Sequence, residues 1–308
     1  MTLGFIGLGA MGTGIALNLA KAGQDLVVYD VRKESAQPLV EAGARLAESV
    51  AELGRAAEVV FTSLPGPKEM QEVGLGDGGL LGAMRAGSAW FDVSTNSPTV
   101  VREVARRFEE AGIAVLDAPV SGRPAGARSG KLAIYVGGDR AVFERHKALL
   151  DSIGDKVLHV GPVGAGNTAK LVHNLVSLVT RMALAEGMSL GVKAGIEPLA
   201  LWHALRQGAI GRQRTFDVLG DQYLQSNYDP ASFALRLAHK DFTLALDLAR
   251  EVGVPMRQAE TAYEDYAAAL ERGWGELDSR APMQLQNERA GVTIKVSAED
   301  VQKTLARG

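Results

Sequence analysis

The chain has no cysteine among its 308 residues. Disulfides, zinc–thiolate sites and thiol nucleophiles are therefore excluded together. Its five histidines are scattered, without HExxH or a comparable cluster, so no protein-held metal is expected. No run of about 18 apolar residues appears, and Met1-Thr2 leads straight into a strand-like segment with no basic stretch before it. Neither a membrane span nor a signal peptide is expected, which favours a cytoplasmic location. The net charge is only −3, with 22% charged and 46% hydrophobic residues, an ordinary globular balance. Nothing in it points to nucleic acid or an anionic membrane as a partner. A chain of this length is long for one compact core, so two domains are expected.

What is present begins at the N-terminus. The apolar run Thr2–Ile6 is followed at once by Gly7-Leu8-Gly9-Ala10-Met11-Gly12, then by a helical stretch, then by a second strand, Asp25–Tyr29, that ends in Asp30. GxGxxG alone is common by chance, but strand, glycine turn, helix, strand and terminal acid within about 30 residues form a dinucleotide-binding unit. Gly7 allows the tight turn, Gly9 lets the backbone approach a pyrophosphate, and Gly12 lets helix and strand pack closely. The helix N-terminus supplies free N–H groups and a favourable dipole for the anion, with Leu8, Ala10 and Met11 completing the cradle. Asp30 is placed to accept hydrogen bonds from the adenosine ribose, whereas a 2′-phosphate would meet it charge to charge. NAD is therefore expected over NADP, although Arg32 can shield such a phosphate.

The α/β alternation continues with strands expected over 58–64, 88–93, 113–116, 132–136 and 157–160. Ligands of an open parallel sheet gather at the carboxyl ends of its strands, which makes Leu64, Pro65, Ser94 and Thr95 candidate cofactor neighbours. Directly after the strand expected over 113–116, Asp117-Ala-Pro-Val-Ser-Gly-Arg-Pro-Ala-Gly126 reads as a polar loop. There the Ser121 hydroxyl and the open Gly122 N–H suit a small carboxylate, and a purely structural turn is the alternative.

A long helix is expected from Asn167, whose side chain can cap its start, to about Gly191. At 100° per residue, Lys170, Asn174, Ser177 and Arg181 share one narrow polar stripe, with Leu171, Val172, Leu175, Val179 and Met182 opposite. The ordinary reading is a surface helix with its polar side in water. The neighbouring cofactor site, which needs a proton donor, argues instead that this stripe carries the chemistry. Beyond it the strand pattern stops, and helices are expected over 199–206, 216–224, 233–252, 257–271 and 298–305. The expected organisation is an N-terminal Rossmann domain with a doubly wound, mostly parallel sheet (1–163), a long interdomain helix (164–192) and an all-α substrate and dimerisation domain (193–308).

Four motifs in order, FIGLGAMG from Phe5, DAPVSG from Asp117, GAGNTAKLVHN from Gly164 and HKD from His239, resemble the β-hydroxyacid dehydrogenase family nearly end to end. That family includes 3-hydroxyisobutyrate dehydrogenase and the tartronate semialdehyde, glyoxylate/succinic semialdehyde and sulfolactaldehyde reductases. The resemblance implies that Lys170 is the catalytic lysine and Asn174 its helical partner. It implies that Ser121 and Gly122 contact the substrate carboxylate and that Thr95 lies beside the nicotinamide; Ser177, on the helical stripe of Lys170 and Asn174, is a further candidate substrate contact. Lys240 and Asp241, preceded by Phe233, match the family's second-domain contribution to the site, and family members are commonly homodimers or homotetramers. Two positions depart from the pattern. Arg123 stands where a second glycine is usual, and His173 stands where the first of two asparagines is usual; both are candidate substrate contacts.

The expected reaction is hydride transfer between NAD(H) and a small 3-hydroxyacid or its semialdehyde, with Lys170 as general acid and base because burial brings a lysine pKa toward neutrality. Arg123 raises a variant of this reading, a substrate with a second anionic terminus. Two other readings are weaker. An imine reductase shares the fold but usually lacks this lysine, and a non-catalytic dinucleotide-binding module would not be expected to keep both Lys170 and Asp30.

Overall fold

The computed structural model describes residues 1–212, 219–220, 222–291 and 293–306. Along the helices between 175 and 252, some side chains, among them Leu175, Ser177, Val179, Arg181, Met182, Lys240 and Asp241, lie outside the described residues, as do 216–218 and 221 of the helix expected over 216–224; the described residues 219, 220 and 222–224 of that stretch form turns rather than an α-helix. The chain divides into two compact units, Met1–Val176 and Ser177–Gly308.

The first unit is the expected doubly wound sheet. Its strands are β1 (Thr2–Ile6), β2 (Asp25–Tyr29), β3 (Arg45–Leu46), β4 (Val59–Thr62), β5 (Ala89–Asp92), β6 (Ala114–Asp117), β7 (Val120–Ser121), β8 (Leu132–Gly137) and β9 (Gly154–Gly161). They are ordered β3-β2-β1-β4-β5-β6-β8-β7, with β9 also paired to β8. The first six strands are all parallel, and β8 then runs antiparallel to both β6 and β7. The order reverses between β1 and β4, and the crevice beyond the strand ends at that point is where such sheets bind ligands.

Period-two alternation gives the sheet two buried faces. Leu3, Phe5, Val59, Phe61, Ala89 and Phe91 enter one core, while Ile6, Val60 and Trp90 enter the other. Register places Phe5 beside Phe61 and Phe61 beside Phe91, and the rings stack at 6.3 and 5.3 Å between centroids. Each such pair contributes about 0.5–1.5 kcal/mol beyond simple burial. The central strands are thereby held rigidly, which fixes where their carboxyl ends deliver the site residues.

β3 and β7 were not expected, because two residues carry no alternation. The 117–126 segment is likewise not wholly a loop: it contains β7 and the first turn of a helix, Arg123–Ser129. The long helix runs Ala165–Lys193, longer at both ends than expected. In the second unit the described residues form helices, including Pro198–Gln207, Leu235–Val252, Arg257–Glu271, Met283–Ala290 and Ala298–Leu305. One isolated bridge, Ala234 to Asp278, sets the entry to Leu235–Val252. Buried Asp278 organises that entry by accepting from Ser232 N and Oγ and from Arg280 N.

Candidate active site

The glycine turn is built around Asp30. One carboxylate oxygen accepts from Leu8 N at 2.7 Å and the other from Arg32 N at 2.8 Å, and the side chain is buried. Asp30 therefore also ties the turn to the end of β2, and its remaining lone pairs are free for ribose hydroxyls. The Arg32 guanidinium stands 3.8 Å from the carboxylate and is largely exposed. Gly7 has φ +91°, and a Cβ on Gly12 would collide with the Gly7 carbonyl oxygen, so both positions require glycine. Gly9 differs: a Cβ there would meet no protein atom within 4 Å. The space beside it is open, as a pyrophosphate cradle requires. Leu8 is buried, Met11 half-buried, and Ala10 exposed at the rim. These residues fit a nicotinamide dinucleotide, with the helix Gly12–Lys21 starting immediately after the glycine turn.

At the end of β5, Asp92 is fully buried and accepts from Thr62 Oγ1, Ser94 Oγ and Asn96 Nδ2 at 2.8, 2.5 and 3.2 Å. Burial pushes its carboxyl above the usual range, against these hydrogen bonds. Ser94 Oγ also accepts from Leu64 N at 2.7 Å. The Ser94 side chain thus braces the β4 and β5 ends, while Pro65 and Thr95 are the exposed residues beside them. Leu64 is half-buried against the core.

The long helix is anchored from β6. Asp117 ends that strand with its carboxylate accepting from Gly164 N at 2.7 Å, Asn167 N at 2.6 Å and Asn167 Nδ2 at 3.3 Å. Burial raises the Asp117 pKa while these donors oppose the rise. A carboxylate at a helix start satisfies orphan N–H groups and complements the dipole. A Cβ on Gly166 would collide with the Tyr135 carbonyl, so the helix packs directly on β8 there. The cap expected from Asn167 itself is replaced by this one. Asn167 lies in the first turn, and its Oδ1 accepts from Asn96 N at 2.5 Å, linking the helix to the β5 end. Neither anchor was legible beforehand, because each pairs residues 47–71 positions apart.

This anchoring sets which face of the helix turns inward. Lys170 is 8% exposed, and burial lowers its pKa. Leu171 and Val172 are 42% and 51% exposed. The described part of the stripe is thus the reverse of an ordinary surface helix, with its polar side covered. One turn on, Asn174 is half-buried on the Lys170 face. His173 Nε2 lies 3.3 Å from Ser121 Oγ, so the long helix and β7 meet at two candidate substrate contacts. Burial, then the nearby Lys170 charge, lower the His173 pKa, which places Lys170 in electrostatic reach of the same pair. Tyr135 of β8, which sequence reasoning missed, completes the cluster: its ring centroid is 6.2 Å from that of His173. Burial raises its phenol pKa, and the nearby Ser121 hydroxyl opposes the rise.

Gly122 has φ +146° and is exposed. Arg123 is exposed and sits at φ +59°, in the left-handed region that suits glycine, which gives the missing second glycine a conformational meaning. Phe233, in the second unit, is 43% exposed at the entry of the helix that carries Lys240 and Asp241. The side chains of Ser177, Lys240 and Asp241 lie outside the described residues. Among the described residues no group of three metal-ligating side chains assembles, and no helix is long and apolar enough to cross a membrane.

Residues 2–161 match the family model for the NAD-binding domain of 6-phosphogluconate dehydrogenase, and residues 164–286 match that for the NAD-binding of NADP-dependent 3-hydroxyisobutyrate dehydrogenase. The chain belongs to the β-hydroxyacid dehydrogenase family. That family places it among the NAD(P)-dependent dehydrogenases acting on hydroxyacids and their semialdehydes. It is 35% identical to 2-(hydroxymethyl)glutarate dehydrogenase of Eubacterium barkeri, over 95% of this chain and 97% of the relative. It is also 35% identical to 2-hydroxy-3-oxopropionate reductase of Escherichia coli K12, over 92% and 96%. Among solved structures it resembles Mycobacterium tuberculosis 3-hydroxyisobutyrate dehydrogenase with L-serine, at TM-score 0.65 and 29% identity, covering 92% of this chain and 98% of that one.

Proposed function

We propose that this member of the family uses NAD in preference to NADP, interconverts a small 3-hydroxyacid and its semialdehyde, and employs Lys170 as the general acid and base. The observation that carries the reading is a buried lysine, its pKa lowered, one turn from Asn174 and beside the Ser121–His173 pair. When bound, the nicotinamide accepts or supplies the hydride. Ser121 and the Gly122 N–H hold the substrate carboxylate. Asn174 aligns the hydroxyl with Lys170, and Lys170 Nζ takes the hydroxyl proton in oxidation and returns it in reduction. Asp30 holds the ribose, which underlies the preference for NAD. Phe233, Lys240 and Asp241, on the strength of the HKD motif's resemblance to the family, are taken as further substrate and cofactor contacts, and the working form is a cytoplasmic homodimer or homotetramer.

A substrate with a second anionic terminus is the alternative, supported by the name of the Eubacterium barkeri relative, whose glutarate substrate is a dicarboxylate. The test is a panel of 3-hydroxyisobutyrate, serine, glycerate and 2-(hydroxymethyl)glutarate, each assayed with NAD and NADP by nicotinamide absorbance. Turnover of the monocarboxylates with NAD is expected. Turnover confined to the dicarboxylate selects the alternative, better rates with NADP reject the role given to Asp30, and no turnover of any rejects the proposal.

A further inference from the structure

The segment that carries Ser121, Gly122 and Arg123 cannot set its own position. Gly122 and Arg123 have φ +146° and +59°, and the helix that follows them, Arg123–Ser129, starts without a side-chain cap. Its seven residues are also well short of the roughly 12–15 that a helix needs to persist by itself in water. What packs against it must place it. On one side this is β8, because a Cβ on Gly122 or Gly126 would come within 2.8 or 3.2 Å of Leu132 Cδ2. On the other side it is the dinucleotide helix Gly12–Lys21. A Cβ on Gly14 would stand 3.0 Å from both Ala127 C and Arg128 N, so the two helices meet backbone to backbone at that point. One turn further along the same face, Asn18 Nδ2 donates to Ala127 O at 2.7 Å.

Asn18 is the one polar residue in Ile15-Ala-Leu-Asn-Leu-Ala20, a run that otherwise packs into the core, and it is half-buried. An amide there is costly unless its donor is used, and this one satisfies a carbonyl in the last turn of Arg123–Ser129, where helical carbonyls lack an intrahelical partner. Gly130, at φ +66°, then ends the helix, and a Cβ on it would sit 3.7 Å from the Asn18 amide. Resting on the reading that Ser121 and Gly122 hold the substrate carboxylate, we propose that Asn18 is a positioning residue of that subsite. It clamps the far end of Arg123–Ser129 to the helix that begins at the cofactor turn, so the near end presents Ser121 Oγ and Gly122 N–H in register with the cofactor. From Ala127 back to Gly122 is about 7.5 Å of chain, so a tilt of about 10° moves those contacts by about 1 Å, enough to take a hydrogen bond out of range. Asn18 itself does not touch the substrate.

Asn18→Leu keeps the volume and removes the donor, and Asn18→Asp keeps the shape but sets an acceptor against the Ala127 carbonyl, so each serves if the other fails to fold. The expected result is KM for 3-hydroxyisobutyrate raised about three- to tenfold, the scale of one net hydrogen bond, with kcat within about twofold and NADH affinity unchanged. Hydrogen–deuterium exchange should quicken in peptides spanning 118–131 and stay at the wild-type rate over the cofactor turn, 2–12. Unchanged exchange at 118–131 overturns the proposal, as does quicker exchange with an unchanged KM. A merely structural asparagine would loosen both segments and weaken NADH together with the substrate, which overturns it as well. In a Ser121→Ala background the effect on KM should shrink, because one of the two groups that Asn18 places is gone, and an equal effect in both backgrounds rejects the role. If no hydroxyacid is turned over, the proposed reaction fails by itself. Asn18 is then judged by calorimetric titration of the NADH complex with isobutyrate: weaker binding by the variants retains the inference, and equal or absent binding in wild type and variants rejects it.

Discussion

Lys170 illustrates how a single side chain acquires a function from its surroundings. An exposed lysine is protonated well beyond pH 9 and makes a poor base, but this one is 8% exposed, and burial lowers its pKa. In hydroxyacid oxidation it must be neutral, so kcat/KM should rise with pH and level off above the Lys170 pKa, at a pH below the ordinary lysine value of about 10.4. Lys170→Ala should remove that limb and lower kcat by about two to four orders of magnitude while NADH affinity holds. A variant that keeps the limb, or more than about a tenth of kcat, would take the lysine out of the chemistry. Arg123 is the complementary case, a residue whose backbone is more informative than its side chain. At φ +59° a non-glycine residue is held at a cost of about 1–2 kcal/mol, and glycine removes that cost while losing more entropy on folding. Arg123→Gly should therefore be neutral or stabilising by up to about 1 kcal/mol in chemical denaturation. The same variant tests the dicarboxylate reading. If Arg123 selects for a second anionic group, the ratio of kcat/KM for 2-(hydroxymethyl)glutarate over 3-hydroxyisobutyrate falls in the variant, and an equal ratio leaves Arg123 as an exposed cation only.

At the scale of elements, what the sequence made legible and what it concealed divide along a physical line. β1 and β2 coincide with their expected limits because an apolar run between a terminus or polar turn and a terminal acid is a local signal. β3 and β7 have two residues each, too few to alternate. Met283–Ala290 reads MQLQNERA, with no apolar periodicity to reveal a helix. Gly122, Pro124 and Gly126 hide a helix whose first turn they begin, because proline is tolerated there and breaks helices elsewhere. The glycine turn and the Lys170, Asn174 and His173 positions were legible because each stands in a local motif. The long helix was legible as a helix, but its orientation was not. Which stripe faces inward depends on Asp117, contributed by β6, and a partner 47–50 residues away leaves no local pattern. Asp117→Ala tests that dependence. It strands the Gly164 and Asn167 N–H groups in a buried place, at about 1–3 kcal/mol each. The expected outcome is a loss of about 2–4 kcal/mol in chemical denaturation together with a fall in kcat, since the residues that follow no longer hold Lys170 in register. NADH affinity should change little, because the glycine turn is secured separately by Asp30. Full activity in a destabilised variant would mean that Lys170 does not rely on this anchor.

For the whole molecule, the unexplained feature is apolar surface. In the second unit Leu184, Val192, Ile196, Trp202, Leu205 and Ile210 are 40–83% exposed on the long helix, on Pro198–Gln207 and around them. Single exposed apolar residues are ordinary, but six large ones within 27 positions of mostly helical chain are what an interface between subunits leaves when one chain is considered by itself. The occupant argued for is a second copy of this chain, in keeping with the homodimer or homotetramer proposed above. A closed symmetric interface uses the same patch on both partners, so one substitution places a new group on both sides of it. Leu184→Glu and Ile210→Glu change exposed positions, which leaves the fold of the isolated chain intact. Light scattering on a sizing column should then give at least twice the 32.5 kDa chain mass for the wild type and a shift toward 32.5 kDa for the double variant, with an unchanged far-ultraviolet spectrum. A wild-type protein that elutes as a monomer at micromolar concentration would rule out the assembly, and an unshifted double variant would move the interface to another surface.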